Sequence, residues 1–119
     1  MRNRARASGA MSLSAARAAR ALQPHAVKAA ELLKALANEQ RLMILCHLVQ
    51  GPLSVGEINE RVQLSQSALS QHLAVLRESG VVTTTRESQS VRYSLPPGVA
   101  TRLIGVLHEE FCRRPKRLN

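Results

Sequence analysis

Residues 55–80, VGEINERVQLSQSALSQHLAVLRESG, decide the fold, because they read as two short helices joined by a tight turn, with a polar face left over on the second. Ser54 followed three residues later by Glu57 predicts a capping box on the first helix, and Val55, Ile58 and Val62 recur along it at helical spacing. Ser65 is the expected N-cap of the second helix. Leu69, Leu73 and Leu76 form its inward stripe, Ala68 and Val75 widen the apolar face, and Gly80 supplies the left-handed position where the helix stops. Gln66, Ser67, Ser70, Gln71 and Arg77 are then left facing outward. Short hydrogen-bonding side chains near a helix N-terminus, free of bulky acids, suit a helix that enters a DNA major groove and reads base edges. His72, in the segment SQHL, has two readings, a phosphate contact or packing under the helix. An ordinary helical hairpin with a solvated face would show the same pattern, so the neighbouring sequence has to decide.

Downstream, residues 81–85 and 91–95 are β-branched or alternate apolar with polar, and the polar run Arg86-Glu87-Ser88-Gln89-Ser90 between them predicts a hairpin. A helix-turn-helix followed directly by a hairpin is a winged helix, a mainly α fold with a small β-hairpin. Arg86, Gln89 and Arg92 of the wing join the candidate DNA contacts. Here the sequence resembles the ArsR/SmtB family of winged-helix repressors, from about residue 29 to residue 112. The resemblance is carried by LLKALANEQRLMIL, LSVGEI, LSQSALSQHLAVLRESGVV and VRYSL.

Composition sets bounds on these readings. The 119 residues, 45% of them hydrophobic, suffice for one core. Tyr93 and Phe111 are the only aromatic residues, which argues against binding nucleic acid by base stacking. No run is apolar for long enough to span a membrane and none resembles a cleavable secretory signal, so a cytoplasmic protein is expected. The formal charge of +9 resides in the ends: Arg2, Arg4, Arg6, Arg17 and Arg20 precede residue 25, and Arg113, Arg114, Lys116 and Arg117 follow residue 112. Residues 25–112 carry eight basic and eight acidic side chains. The expected organisation is a basic, flexible or loosely helical arm over 1–24, a winged-helix DNA-binding and dimerisation domain over 25–112, and a basic tail over 113–119. The arm's composition also matches organelle-targeting peptides, a reading that the bacterial character of the resemblance weakens.

Ala29, Leu32, Leu33 and Leu36 predict one face of a first core helix. Asn38 is the expected cap of a second, with Leu42, Leu45, Cys46, Leu48 and Val49 inward and Gly51-Pro52 ending it. Beyond Pro96-Pro97-Gly98, a last helix is marked by Val99, Leu103, Val106, Leu107 and Phe111. The resemblance implies that the first and last helices pack across a two-fold axis. The homodimer so formed would present two reading helices to a palindromic double-stranded DNA operator.

Regulation by metal finds little support. The thiolate pair that many family members carry falls on Ser54 and Gly56 here, and of the ligands expected on the last helix only His108 is present. No metal or other cofactor is therefore expected. Cys46 and Cys112 remain. By composition each reads as a small buried hydrophobe. The family's HlyU/BigR/SqrR-like branch has one cysteine in each of these two helices and lacks the metal motifs. That resemblance implies a redox switch, in which Cys46 and Cys112 join through a disulfide or polysulfide within one subunit and release DNA in response to reactive sulfur species or oxidants. His108, one turn before Cys112, has three readings: it lowers that thiol's pKa, serves as a second ligand beside it, or is a surface residue near a basic tail. His47 points about 100° away from Cys46 on the same helix, an awkward geometry for a shared metal site.

The expected protein is a sequence-specific transcriptional repressor with a thiol switch. A metal-responsive repressor and a constitutive architectural protein with structural cysteines are the alternatives. An enzyme is disfavoured, since no nucleophile and base recur in a motif and no phosphate-cradling glycine loop occurs. Because the charge lies in the ends, deleting residues 1–20 or 114–119 is expected to weaken DNA binding. The salt dependence should flatten by about one unit of slope for each phosphate no longer neutralised, with operator preference intact. Binding titrations at several salt concentrations measure this, and a drop in preference would mean that an end reads sequence.

Overall fold

A computed structural model describes residues 14–112. They divide into two compact units between Glu31 and Leu32. In the first, residues 14–22 form a helix (α1), a 3-10 turn follows at Gln23–His25, and the next helix, α2 (Ala26–Leu36), begins. No described side chain of this unit is buried. Residues 1–13 and 113–119, which hold most of the charged ends, lie outside the described residues.

The second unit takes the end of α2 and continues through α3 (Glu39–Leu48), strand β1 (Leu53–Ser54), α4 (Val55–Arg61) and α5 (Gln66–Glu78). Strands β2 (Thr83–Glu87) and β3 (Ser90–Ser94) follow, then α6 (Val99–Cys112). The local signals act as expected. Asn38, Ser54 and Ser65 cap α3, α4 and α5, each side chain accepting a hydrogen bond from the backbone N–H three residues on. The Ser54 capping box is complete, with Glu57 Oε1 accepting from Ser54 N at 2.9 Å. Asn59 Nδ2 donates to Leu64 O at 3.0 Å and closes the α4–α5 turn. Gly80, at φ 76°, ends α5, and Val81 N reaches back to Leu76 O at 2.9 Å.

The wing is tighter than the sequence suggests. Val81 and Val82 are buried in the core before the first strand begins, and the hairpin turns through Ser88 and Gln89 alone, because Glu87 already pairs with Ser90. β1 adds a third antiparallel strand, pairing Leu53 with Tyr93 and Ser54 with Arg92, so the sheet order is β1-β3-β2. A two-residue strand has no periodicity, so the sequence carries no sign of it.

One aliphatic cluster fills the second unit. Ile44, Leu45 and Leu48 of α3 lie in it with Ile58, Leu69, Leu73, Leu76, Val81, Val82, Ala100 and Ile104. Several expected core positions fall elsewhere. Val49 and Val75 are exposed, whereas Ile44 is fully buried and Ala68 half-buried. On α2 the buried residues are Ala35 and Leu36, while Leu33 is exposed. The residues that mark α6 in the sequence carry no assignment to this core: Ala100 and Ile104 are the ones buried in it, Leu103 is partly buried, and Val99, Val106, Leu107 and Phe111 face out. On α2, α3 and α6 the physical reason is the same: each is apolar over more than one face, and hydropathy does not say which face meets the core. Ile44→Ala is expected to cost about 2–5 kcal/mol in denaturant unfolding and Val49→Ala less than about 0.5 kcal/mol. Equal losses would contradict this rotation of α3.

Candidate nucleic-acid interface and thiol groove

Leu69, Leu73 and Leu76, all buried, decide which face of α5 meets the core. At about 100° per residue, Ser67 and Gln71 stand opposite that stripe, and both are exposed. Gln66, Ser70 and Arg77 occupy the flank toward the wing. Ser70 and Arg77 line a hollow of about 430 Å³ together with Val55, Leu73, Ala74, Glu78 and Tyr93. Ala74 is also exposed, between Gln71 and Glu78 on the outer face, and sequence reasoning misses it because alanine reads as core. A methyl group there suits contact with the thymine methyl in a major groove.

The sheet separates the two wing arginines. Arg86 pairs with Val91 and Arg92 with Thr85, and since alternate residues point to opposite faces, Arg86 and Arg92 lie on opposite sides. Arg86 and Gln89 are exposed at the wing tip. Arg92 is 31% exposed and turned inward, 3.6 Å from Glu57 Oε1 and donating to Pro52 O at 3.2 Å. The Ser54 backbone N–H, assisted by the Arg92 and Arg61 cations, holds the Glu57 carboxyl below its usual range. Arg92 thus fastens the wing to the start of α4. His72 sits on the flank of α5 away from Ser70, half-buried, with Nδ1 3.4 Å from Arg41 Nη1 on α3.

A second feature lies between α3 and α6. Met43, Cys46, Val49, Gln50, Thr101, Ile104, Gly105, His108, Glu109 and Cys112 line a largely apolar groove of about 860 Å³. Both cysteines are free thiols on this one groove, Cys46 half-buried and Cys112 exposed. Burial raises the Cys46 pKa, and a thiolate at Cys112 raises it further. Cys46 is therefore a poorer nucleophile at neutral pH than an ordinary thiol. His108 lines the same groove, whereas His47 does not. Among the described residues no three His, Cys, Asp or Glu side chains are grouped to hold a metal ion, and no helix is long and apolar enough to cross a membrane.

A capped helix presenting short polar side chains beyond its core stripe, followed by a hairpin with an exposed arginine, defines a winged-helix DNA-binding regulator. Residues 38–84 match the family described as "Bacterial regulatory protein, arsR family". The chain is 50% identical over 92 residues to the transcriptional activator HlyU of Vibrio cholerae serotype O1, spanning 77% of this chain and 85% of that protein. It is 44% identical over 98 residues to the biofilm growth-associated repressor of Agrobacterium fabrum, spanning 82% and 84%. The structure of reduced HlyU from Vibrio cholerae N16961 superposes with a TM-score of 0.71 at 49% identity, over 78% of this chain and 98% of that one. The chain belongs to the ArsR family of bacterial regulatory proteins.

Two outcomes are expected. On a duplex enriched by the wild-type chain from a random pool, Gln71→Ala or Ser70→Ala should cost about 1–3 kcal/mol, with little change on random DNA. Arg86→Ala should weaken both, and an unchanged binding ratio for Gln71→Ala would displace the reading face. The raised pKa predicts a second outcome, that Cys46 alkylates slowly at neutral pH and speeds up only above the ordinary thiol range. Cys112→Ser should shift that rise to lower pH, as mass-resolved alkylation would show.

Proposed function

We propose that this regulator is a cytoplasmic, dimeric repressor that binds a palindromic operator and releases it when Cys46 and Cys112 become linked within one chain by reactive sulfur species or oxidants. The observation that carries this reading is the shared groove: two thiols far apart in sequence line one hollow between α3 and α6, close enough for the charge of one to raise the pKa of the other. An organic persulfide supplies balanced chemistry. A protein thiolate attacks the outer sulfur and expels RS⁻, leaving a protein persulfide. The second thiolate then attacks the protein-bound sulfur of that persulfide and expels HS⁻, so a disulfide forms while RSH and hydrogen sulfide carry away the electrons. A peroxide reaches the same disulfide through a sulfenic acid and water.

The dimer is supported by apolar surface that the second unit leaves uncovered, namely Val99, Val106, Leu107 and Phe111 on α6, with Phe111 76% exposed, and Leu33 on α2. A link from α3, beneath the reading helix, to α6, at the dimer surface, would change the spacing of two reading heads, and a small change suffices to lose one half-site. The sign of regulation is taken from the repressor relative, since the relatives' names include an activator and a repressor.

Persulfide treatment is expected to weaken operator binding by about 1–3 kcal/mol. Cys46→Ser and Cys112→Ser should each bind operator when reduced and each fail to release it. Normal release by either single variant, in a fluorescence-anisotropy titration with persulfide, would return both cysteines to a structural role.

A further inference from the structure

Arg41 has no place in the reading face or the thiol groove, yet its side chain makes three polar contacts within the second unit. Nε donates to Ala35 O at 2.6 Å and Nη2 to Lys34 O at 3.1 Å, both at the carbonyl end of α2. Nη1 stands 3.4 Å from His72 Nδ1 on α5. The backbone beneath is fixed as well, because Arg41 N donates to Oδ1 of Asn38, the α3 cap, at 3.0 Å.

These contacts have definite polarity. A guanidinium carries five donors and no acceptor, so a hydrogen bond at this 3.4 Å approach requires His72 Nδ1 to accept and the ring's proton to sit on Nε2. The last carbonyls of a helix favour a cation, so the guanidinium is held at the end of α2 independently of its third contact. That third contact gives α5 something its leucines do not. Aliphatic burial is non-directional, and three leucines on a helix tolerate small rotations or slides. A polar contact to a fixed fork does not.

We propose that Arg41 is a positioning residue for DNA reading: it ties the carbonyl end of α2 to His72, fixes that ring in the Nε2–H form, and so sets the rotation at which α5 presents Ser67 and Gln71. The proposal rests on the winged-helix reading and not on the thiol switch. It assigns His72 a role through its Nδ1, whatever its other nitrogen meets.

The test uses the full chain, the duplex enriched by the wild type, and a random duplex. Arg41→Gln should reduce the preference between the two duplexes about tenfold and leave the salt slope unchanged, since Arg41 neutralises no phosphate. In ¹⁵N spectra of the imidazole at mildly alkaline pH, His72 should be a single Nε2–H tautomer in the wild type and a mixture in Arg41→Gln. His72→Asn, whose Oδ1 replaces the Nδ1 acceptor at similar helix propensity, should keep preference within about threefold, whereas His72→Phe should lose as much as Arg41→Gln. The double variant Arg41→Gln/His72→Phe should be no worse than either single one. The proposal fails if the tautomer is mixed in the wild type, if the double variant is additive, or if the salt slope falls by about one unit in Arg41→Gln, which would make Arg41 a phosphate ligand. Should Arg41→Gln unfold, the wild-type tautomer and the Asn-against-Phe comparison at position 72 decide by themselves.

Discussion

Burial of Leu69, Leu73 and Leu76 in one cluster with Ile44, Leu45 and Leu48 fixes which side of α5 is left exposed, and much of the structure rests on that packing. The cluster holds no aromatic and, among the described residues, no buried polar side chain. It supplies free energy without direction, so direction has to come from elsewhere. Caps at Asn38, Ser54 and Ser65 start the helices at set residues. Arg92 with Glu57, and Arg41 with the α2 carbonyls, tie neighbouring elements through charged, oriented contacts.

The same packing places α3 so that Cys46 sits half in the core, beside a helix that is only lightly held. α6 buries just Ala100 and Ile104 and leaves most of its apolar surface outside. An element with few buried residues moves at lower cost than one with many. A covalent link from the firmly held α3 to the lightly held α6 would therefore displace α6 and leave the core in place. DNA affinity could then change without unfolding the reading head.

The fold is legible in the sequence wherever the signal is local. Ser54 with Glu57, Ser65, Asn38 and Gly80 each act within one helical turn, and the leucine stripe of α5 has a single possible inward face. Legibility ends where a partner element makes the choice. Val49 and Ile44 are equally apolar, and only the packing of α3 decides that Ile44 is inside. Phe111 and Val106 mark α6 as a helix without saying that they stay uncovered, because an apolar surface left uncovered has the same composition as a buried one. The contacts of Arg92 with Glu57 and Pro52 O are set by the register of β3, which the sequence does not show. Arg41 gives no signal, since its partners at positions 34, 35 and 72 share no motif with it. The pairing of Cys46 and Cys112 comes from resemblance to relatives, and no spacing rule would bring the two together.

The central claim, that these two thiols act as one unit, is tested most directly by intact and peptide-resolved mass spectrometry of the full chain after exposure to an organic persulfide, to peroxide and to zinc. With both thiols in one switch, persulfide yields a Cys46–Cys112 linkage within a single chain, directly or through added sulfur, and zinc leaves both thiols free to alkylate. A chain that keeps two alkylatable thiols after persulfide and peroxide treatment, or whose cysteines link only between chains, would contradict that claim.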